Sequence, residues 1–167
     1  MMKRLIAVAV VLLVASSALS QQKNAPPVAD NLYYRALFAS LEKMHKEWGK
    51  INGPATEARI DYHLMIVERN RDITDGLLAQ SGDYRVEFLD PQQLTDRYKK
   101  LRKEFPILVA FPMINNGERV KVSFNLYWFS YEKRSLTYSL SDWSHVYFRY
   151  DCEKREFVLD QVELGGI

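Results

Sequence analysis

The chain has 167 residues and a formal charge of +2. Residues 1–20 hold Lys3, Arg4 and no acid, so the chain beyond them is charge-balanced. That balance excludes a dedicated nucleic-acid binder, whose affinity rests on neutralising phosphates. A single cysteine, Cys152, excludes an intrachain disulfide and any cysteine-clustered zinc site.

The first residues read as a secretory signal peptide. Lys3 and Arg4 form a basic start, Leu5 to Val14 is an unbroken apolar run, and Ala18-Leu19-Ser20 suits a signal peptidase. The run is too short for a membrane span, and no later segment is long and apolar enough for a stable one. The expected location is therefore secreted or periplasmic. Residues 21–29, with Pro26-Pro27, read as a disordered lead-in. Residues 30–167 read as one domain that holds its fold by packing.

Asp30 is the expected N-cap of a helix that runs to Trp48 and stops at Gly49. Tyr34, Leu37, Phe38, Leu41, Met44, His45 and Trp48 fall at helical spacing as its apolar stripe. A loop over 50–57 carries Gly53-Pro54. Residues 58–68 alternate as a strand, although Ile60, Leu64 and Val67 also suit a helix. Residues 69–83 form a polar loop with Gly76 and Gly82, long enough to be a functional flap.

Residues 84–89 form a short strand. Asp90, Pro91 and Gln93 then spell an N-cap, a first-turn proline and a capping box. Leu94, Tyr98, Leu101 and Phe105 are the expected buried stripe of that helix, with Pro106 as its stop. Arg97, Lys99, Lys100, Arg102 and Lys103 decorate its surface as a solvated face or a basic docking patch.

From Ile107 the chain reads as strands. Asn115-Asn116-Gly117 is a hairpin signal, and Pro112 places the preceding strand at an edge or on a bulge. Val120, Val122, Phe124, Leu126 and Trp128 alternate toward a core. Turns near 132–135 and 151–154 separate the remaining strands.

The expected fold is α+β: a curved antiparallel sheet, a meander of about five to seven strands, packed against two helices on one face. This element order is similar to that of cystatin-like and nuclear-transport-factor-2-like folds over most of residues 30–167. A likeness of order implies a layout and no function.

The chemistry-bearing residues cluster at Ser141-Asp142-Trp143-Ser144-His145. In a strand, neighbours point apart, so Ser144 and His145 cannot pair. Ser141 and His145 share a face at roughly 13 Å, beyond hydrogen-bond range. A turn there would join Asp142 to His145 as an acid–base pair. Asp61 and His63, on one face of their strand, are a second catalytic candidate. Three scattered histidines and no H-E-x-x-H pattern give no metal site and no cofactor from sequence.

The strongest compositional signal is aromatic, with 10 Tyr, 8 Phe and 3 Trp, all after residue 20. Tyr127, Phe129 and Tyr131 lie opposite the Val120–Trp128 file. Tyr138, Trp143, His145, Tyr147 and Arg149 join them from neighbouring strands. Rings with polar tips suit a binding surface, so these eight are the expected ligand-binding residues. The expected function is non-catalytic binding of a small molecule, glycan or peptide. A small enzyme using a His/Asp pair is one alternative. The other is an interaction module working through a sheet edge or the basic helix. Cys152 offers a possible dimer contact.

Intact-mass measurement on protein from the native host should give a chain that begins at or near Gln21. A mass that still includes residues 1–20 contradicts the signal-peptide reading.

Overall fold

A computed structural model of the protein describes residues 31–49, 60–69 and 79–166. The expected signal peptide and lead-in, the Gly53-Pro54 loop and residues 70–78 of the expected flap lie outside the described residues. Two helices and eight strands follow in the order α1 (Leu32–Trp48), β1 (Leu64–Glu68), β2 (Gln80–Ser81), β3 (Tyr84–Leu89), α2 (Pro91–Leu101), β4 (Phe105–Ala110), β5 (Ile114–Asn115), β6 (Arg119–Glu132), β7 (Ser135–Asp151) and β8 (Glu156–Gly166). The fold is α+β, with one open, mostly antiparallel, curved sheet. Its strand order is β2-β3-β1-β4-β6-β7-β8, and β5 pairs with β6.

The meander holds from β4 onward, where each strand runs antiparallel to the next. The first half departs from it. β1 lies between β3 and β4 and is parallel to both. The chain leaves β3, crosses over β1 as α2, and returns as β4, because parallel strands need a crossover connection.

Neighbouring residues on β1 enter different cores. Met65 and Val67 pack with α1 residues Leu37, Leu41 and Met44, whereas Ile66 packs with Leu94 of α2. The helices therefore cover opposite faces of the sheet, rather than one face as the element order suggests. Crossing over β1 obliges α2 to take the face that α1 leaves open.

Local signals decide most boundaries. The capping box at Asp90 and Gln93 is formed in both directions, at 2.8 and 2.9 Å. At α1 the cap is Asn31, whose side chain accepts from the Tyr33 N–H. Tyr33, Ala36 and Ser40 are buried beside Leu37, Phe38, Leu41 and Met44, while Tyr34, His45 and Trp48 are only half-buried.

α2 ends at Leu101, earlier than its apolar spacing suggests, because Arg102 adopts the left-handed conformation and turns the chain. Leu101 is exposed and Phe105 opens β4. Pro106 sits in β4 where β1 has not yet begun to pair, so its missing N–H breaks no ladder bond on that side. β1 begins at Leu64, because Asp61 accepts from the His63 N–H and closes a turn where a strand was expected. Residues 80–81, expected as loop, form a two-residue hairpin strand against β3 around Gly82.

β1 pairs only with Ile107 and Leu108 of β4, so around Pro112 the chain runs along β6 alone, and residues 111–113 stand against two residues of β6, Val122 and Ser123, as a bulge does. Pro112 falls in the break between β4 and β5. The Tyr33 hydroxyl donates to the Phe111 carbonyl (3.1 Å) and accepts from the Met113 N–H (3.0 Å). One α1 side chain thus replaces the bonds lost at the break.

The α1 face buries Val122, Phe124, Leu126, Val146 and Phe148, together with a Ser40–Ser144 hydroxyl pair at 3.0 Å. The α2 face buries Ile66, Leu89, Leu94, Phe105, Ile107 and Phe129. Trp128 continues the α1-side file but is only half-buried, against the expectation for the end of an alternating apolar run.

Phe148→Ala and Phe129→Ala should each cost about 3–5 kcal/mol, one in each core. Trp128→Ala should cost clearly less, below about 2 kcal/mol. Urea unfolding midpoints check this, and a Trp128 effect equal to the other two contradicts the assignment.

Candidate functional site

The site forms on the part of the α2 face that α2 does not reach. Ser123, Asn125, Tyr127, Phe129 and Tyr131 leave β6 on that side. β7 supplies the opposing rings through one irregularity. Leu126 pairs with Asp142 and Tyr127 with Leu140, so Ser141 is an extra, bulged residue. The bulge exchanges the faces of β7. Leu136, Tyr138 and Leu140 precede it on the α2 side, and Trp143, His145 and Tyr147 follow it on the same side. Asp142, Ser144, Val146 and Phe148 turn to the α1 side.

The eight expected binding residues therefore share a face, but not one environment. Phe129 is fully buried under α2 and serves the core. Tyr127, Tyr131 and Tyr138 are half-buried at the rim of that core. Trp143, His145 and Tyr147 lie half-exposed beyond it, and Arg149 is exposed at the far end.

The rings touch in two groups, Trp143 with His145 and Tyr147, and Tyr127 with Tyr138 and Phe129. Trp143 stacks on His145 at 4.5 Å and 29° between planes. His145 meets Tyr147 edge-on at 6.5 Å, and Tyr127 meets Tyr138 edge-on at 5.9 Å. Trp143 leans over Gly165 of β8, where a Cβ would sit 2.2 Å from the indole. Only glycine leaves room for this ring.

Polar atoms border the rings. The Tyr147 hydroxyl donates to Glu163 (3.0 Å), whose other oxygen accepts from Gln161 (3.0 Å). Asn125 donates to the Tyr127 hydroxyl at 3.1 Å. Arg119 lies 6.0 Å from the Tyr147 ring centre and pairs with Asp160 at 2.8 Å. His145 Nδ1 contacts the Ser144 carbonyl at 3.1 Å. A carbonyl only accepts, so this nitrogen carries a proton.

Glu68 closes the α2 end of the tract and was not singled out by sequence. Tyr138 donates to its carboxylate at 3.3 Å. Burial raises the Glu68 carboxyl above the usual carboxylate range, and the Tyr138 hydrogen bond only partly opposes this. Burial, then the neighbouring Glu68 charge, pushes the Tyr138 hydroxyl up to about 12. A lone acid closing the run Leu64-Met65-Ile66-Val67 was the available signal.

The catalytic candidates do not converge on this tract. Asp142 points to the α1 side, accepts from Ser141 and overlies Gly166, while His145 points to the other side. Asp61 binds the backbone of His63, not its ring. His63 instead meets His45, its ring centre 4.3 Å away, beside a cavity on the α1 side. Cys152 is exposed in the β7–β8 turn. Among the described residues, no three His, Cys, Asp or Glu side chains close round one point, and no helix is long and apolar enough to cross a membrane.

No family model, curated protein or solved structure matches the chain. The cystatin-like and nuclear-transport-factor-2-like likeness rests on element order alone.

The Glu68 shift has a definite sign. The folded protein holds this proton to higher pH than the unfolded chain does. Its contribution to stability is therefore complete below the unfolded value and is lost as pH rises through the folded one. Glu68→Gln should flatten the decline in stability as pH rises through and above the usual carboxylate range. Parallel declines in the urea midpoints of the two proteins would contradict it.

Proposed function

We propose that this protein is an exported, non-catalytic binding protein that holds a glycan across the ring tract of its sheet. One observation carries the reading: Trp143, His145 and Tyr147 remain half-exposed, side by side, on a part of the sheet that no helix among the described residues covers, with Tyr127 at the rim of the α2-side core next to them. A purely structural second face would be filled with aliphatic side chains and closed. Here rings alternate with groups that donate and accept hydrogen bonds: Asn125, Gln161, Glu163 and the tyrosine hydroxyls.

That mixture suits a sugar. The C–H face of a pyranose packs on an aromatic ring, and its hydroxyls need both donors and acceptors at the rim. The strand spacing also suits an extended chain. Adjacent strands lie about 4.8 Å apart, and same-face residues along a strand about 6.6 Å apart, so successive rings can meet successive units of an oligomer. Gly165 supports the reading, because the nearest atoms to its missing Cβ are those of the Trp143 indole. The acid–base alternative draws no support from this tract, since Asp142 and His145 point to opposite faces.

Titration of the protein with a panel of soluble oligosaccharides, followed by tryptophan fluorescence and calorimetry, tests the proposal. Trp143→Ala and Tyr147→Ala should each weaken binding at least about tenfold while leaving the far-ultraviolet circular dichroism unchanged. Trp48→Phe, on α1 and so across the sheet, should leave it intact. Binding of a peptide or apolar metabolite in place of every glycan would overturn the glycan assignment. Binding that survives the Trp143 and Tyr147 variants would overturn the site.

A further inference from the structure

The α1 side of the sheet carries a second cluster, and it lies apart from the ring tract. His45 comes from the last turn of α1 and His63 from the turn that leads into β1. Their ring centres are 4.3 Å apart, with planes at 73°. Tyr84, opening β3, joins them: its ring stacks on His63 at 5.2 Å and 15°, and its hydroxyl lies 3.2 Å from His45 Nδ1. His45, Gly49, Ile60, Asp61, Tyr62 and His63 line a cavity of about 410 Å³.

We propose that this cavity is a transition-metal site, in which the imidazoles of His45 and His63 take one Cu²⁺ or Zn²⁺ ion. Four features support it. First, two imidazoles bound side by side to one ion, at about 2.0–2.1 Å each, have ring centres roughly 4.5–5 Å apart. The observed separation is within a small side-chain rotation of that. Second, Tyr84 occupies Nδ1 of His45, which leaves Nε2 as the ligating atom. A ligating histidine characteristically has its other nitrogen held by a hydrogen-bond partner. Third, the Asp61 carboxylate lies on the cavity wall, and its bond to the His63 N–H fixes it there. It adds negative charge beside the imidazoles without competing for their nitrogens. Fourth, Gly49 leaves His45 its position. A Cβ at residue 49 would fall 2.8 Å from His45 Cδ2 and 2.5 Å from the His45 carbonyl oxygen.

Two imidazoles are donors suited to copper and zinc, and such a pair favours Cu²⁺ over the other divalent first-row ions. Among the described residues the protein offers two nitrogen ligands rather than three or four. Water completes the coordination, so the ion is exchangeable and open to a further ligand. The charges around the cluster do not block a cation. Glu42 pairs with Lys46 at 2.5 Å, and Asp61 and Asp83 flank the histidines and Tyr84.

The test is calorimetric titration of the metal-free full chain with Cu²⁺ and with Zn²⁺, and electron paramagnetic resonance of the Cu²⁺ form. One ion per chain should bind, with a Cu²⁺ spectrum that shows imidazole nitrogen coupling. His63→Ala, an exposed position with little to unfold, should weaken binding at least about tenfold, and His45→Ala should do the same. His145→Ala, on the opposite face, should leave affinity and spectrum unchanged. The proposal is overturned by any one of three results: no stoichiometric binding of either ion, binding that persists in the His45→Ala, His63→Ala double variant, or a loss in His145→Ala equal to that in His63→Ala. None of these bears on glycan binding, so the two sites stand or fall separately.

Discussion

One extra residue in β7 sets the character of the molecule's open face. A strand's side chains alternate strictly, so in a regular strand Tyr138 and Trp143, five residues apart, would point to opposite faces, while Tyr138 and Ser144 would share one. Ser141 does not disturb the pairing of β6 with either half of β7, but it resets the alternation between them. The outcome is visible against β6. Tyr138 stands opposite Phe129 and Leu140 opposite Tyr127. Beyond the bulge, Asp142 stands opposite Leu126 and Ser144 opposite Phe124. Even-numbered β7 residues thus face α2 before Ser141 and α1 after it. Without the insertion either Tyr138 would leave the α2-side core, or Val146 and Phe148 would leave the α1-side core. The bulge lets both cores close and leaves Trp143, His145 and Tyr147 pointing away from α1.

The size of the helices leaves that face open. α1, with 17 residues, is about 25 Å long and lies across β6, β7 and β8. α2, with 11 residues, is about 16 Å long and is tied to the crossover between β3 and β4. A helix about 10 Å wide covers two or three strands at about 4.8 Å spacing. α2 cannot extend to β7 and β8 while it bridges β3 and β4. Among the described residues nothing therefore covers the α2 side of the C-terminal strands, and the residues there are the ones that tolerate it. Lys121, Ser123, Asn125, Gln161 and Glu163 accompany the rings. β8 carries its own extra residue, Asp160, whose carboxylate reaches Arg119 and Arg149 on the same side. Arg35 of α1 reaches the other way. Its guanidinium lies over the Phe148 ring and donates to the Phe157 carbonyl at 2.6 Å, tying the helix to the outermost strand.

Local chemistry was legible in the sequence wherever a short stretch determines it. The capping box at Asp90 is self-contained, and so are the turn at Asn115-Asn116-Gly117 and the strand at 84–89. The ring-bearing face was legible too, because it follows from period-two spacing in β6 and in the second half of β7. What the sequence hid was set by distant parts of the chain. Parallel pairing of β1 depends on the path of α2, and nothing within residues 64–68 encodes it. Pro112 signalled the break between β4 and β5 but not its replacement bonds, which come from Tyr33, 80 residues away from Met113. Trp128 looked like core because alternation continues through it, whereas the helix that would bury it does not reach that far. His45 and His63 looked unrelated, since a helix stripe and a strand face have no common origin in sequence. They meet only because Asp61 ends the turn at His63 and the helix delivers His45 to the same corner.

Docking of α1 links these observations. The Ser40–Ser144 pair places two small hydroxyls where helix and sheet meet, so the backbones approach closely and the Ser144 hydroxyl has Ser40 to donate to. Ala36 lies on the same buried side of the helix. That approach seats Phe148 beneath Arg35 and carries the Tyr33 hydroxyl into the β4–β5 break. At the other end of the helix it sets His45 against Tyr84. The ring tract depends on none of these contacts directly. Its positions are fixed by the register of β6, β7 and β8, and by the two glycines that end β8, Gly165 under Trp143 and Gly166 under Asp142. Each face of the sheet is thus organised by its own constraint, helix docking on one side and strand register on the other. A perturbation of α1 should be felt first at the histidine cluster, and a slip of β8 first at the rings.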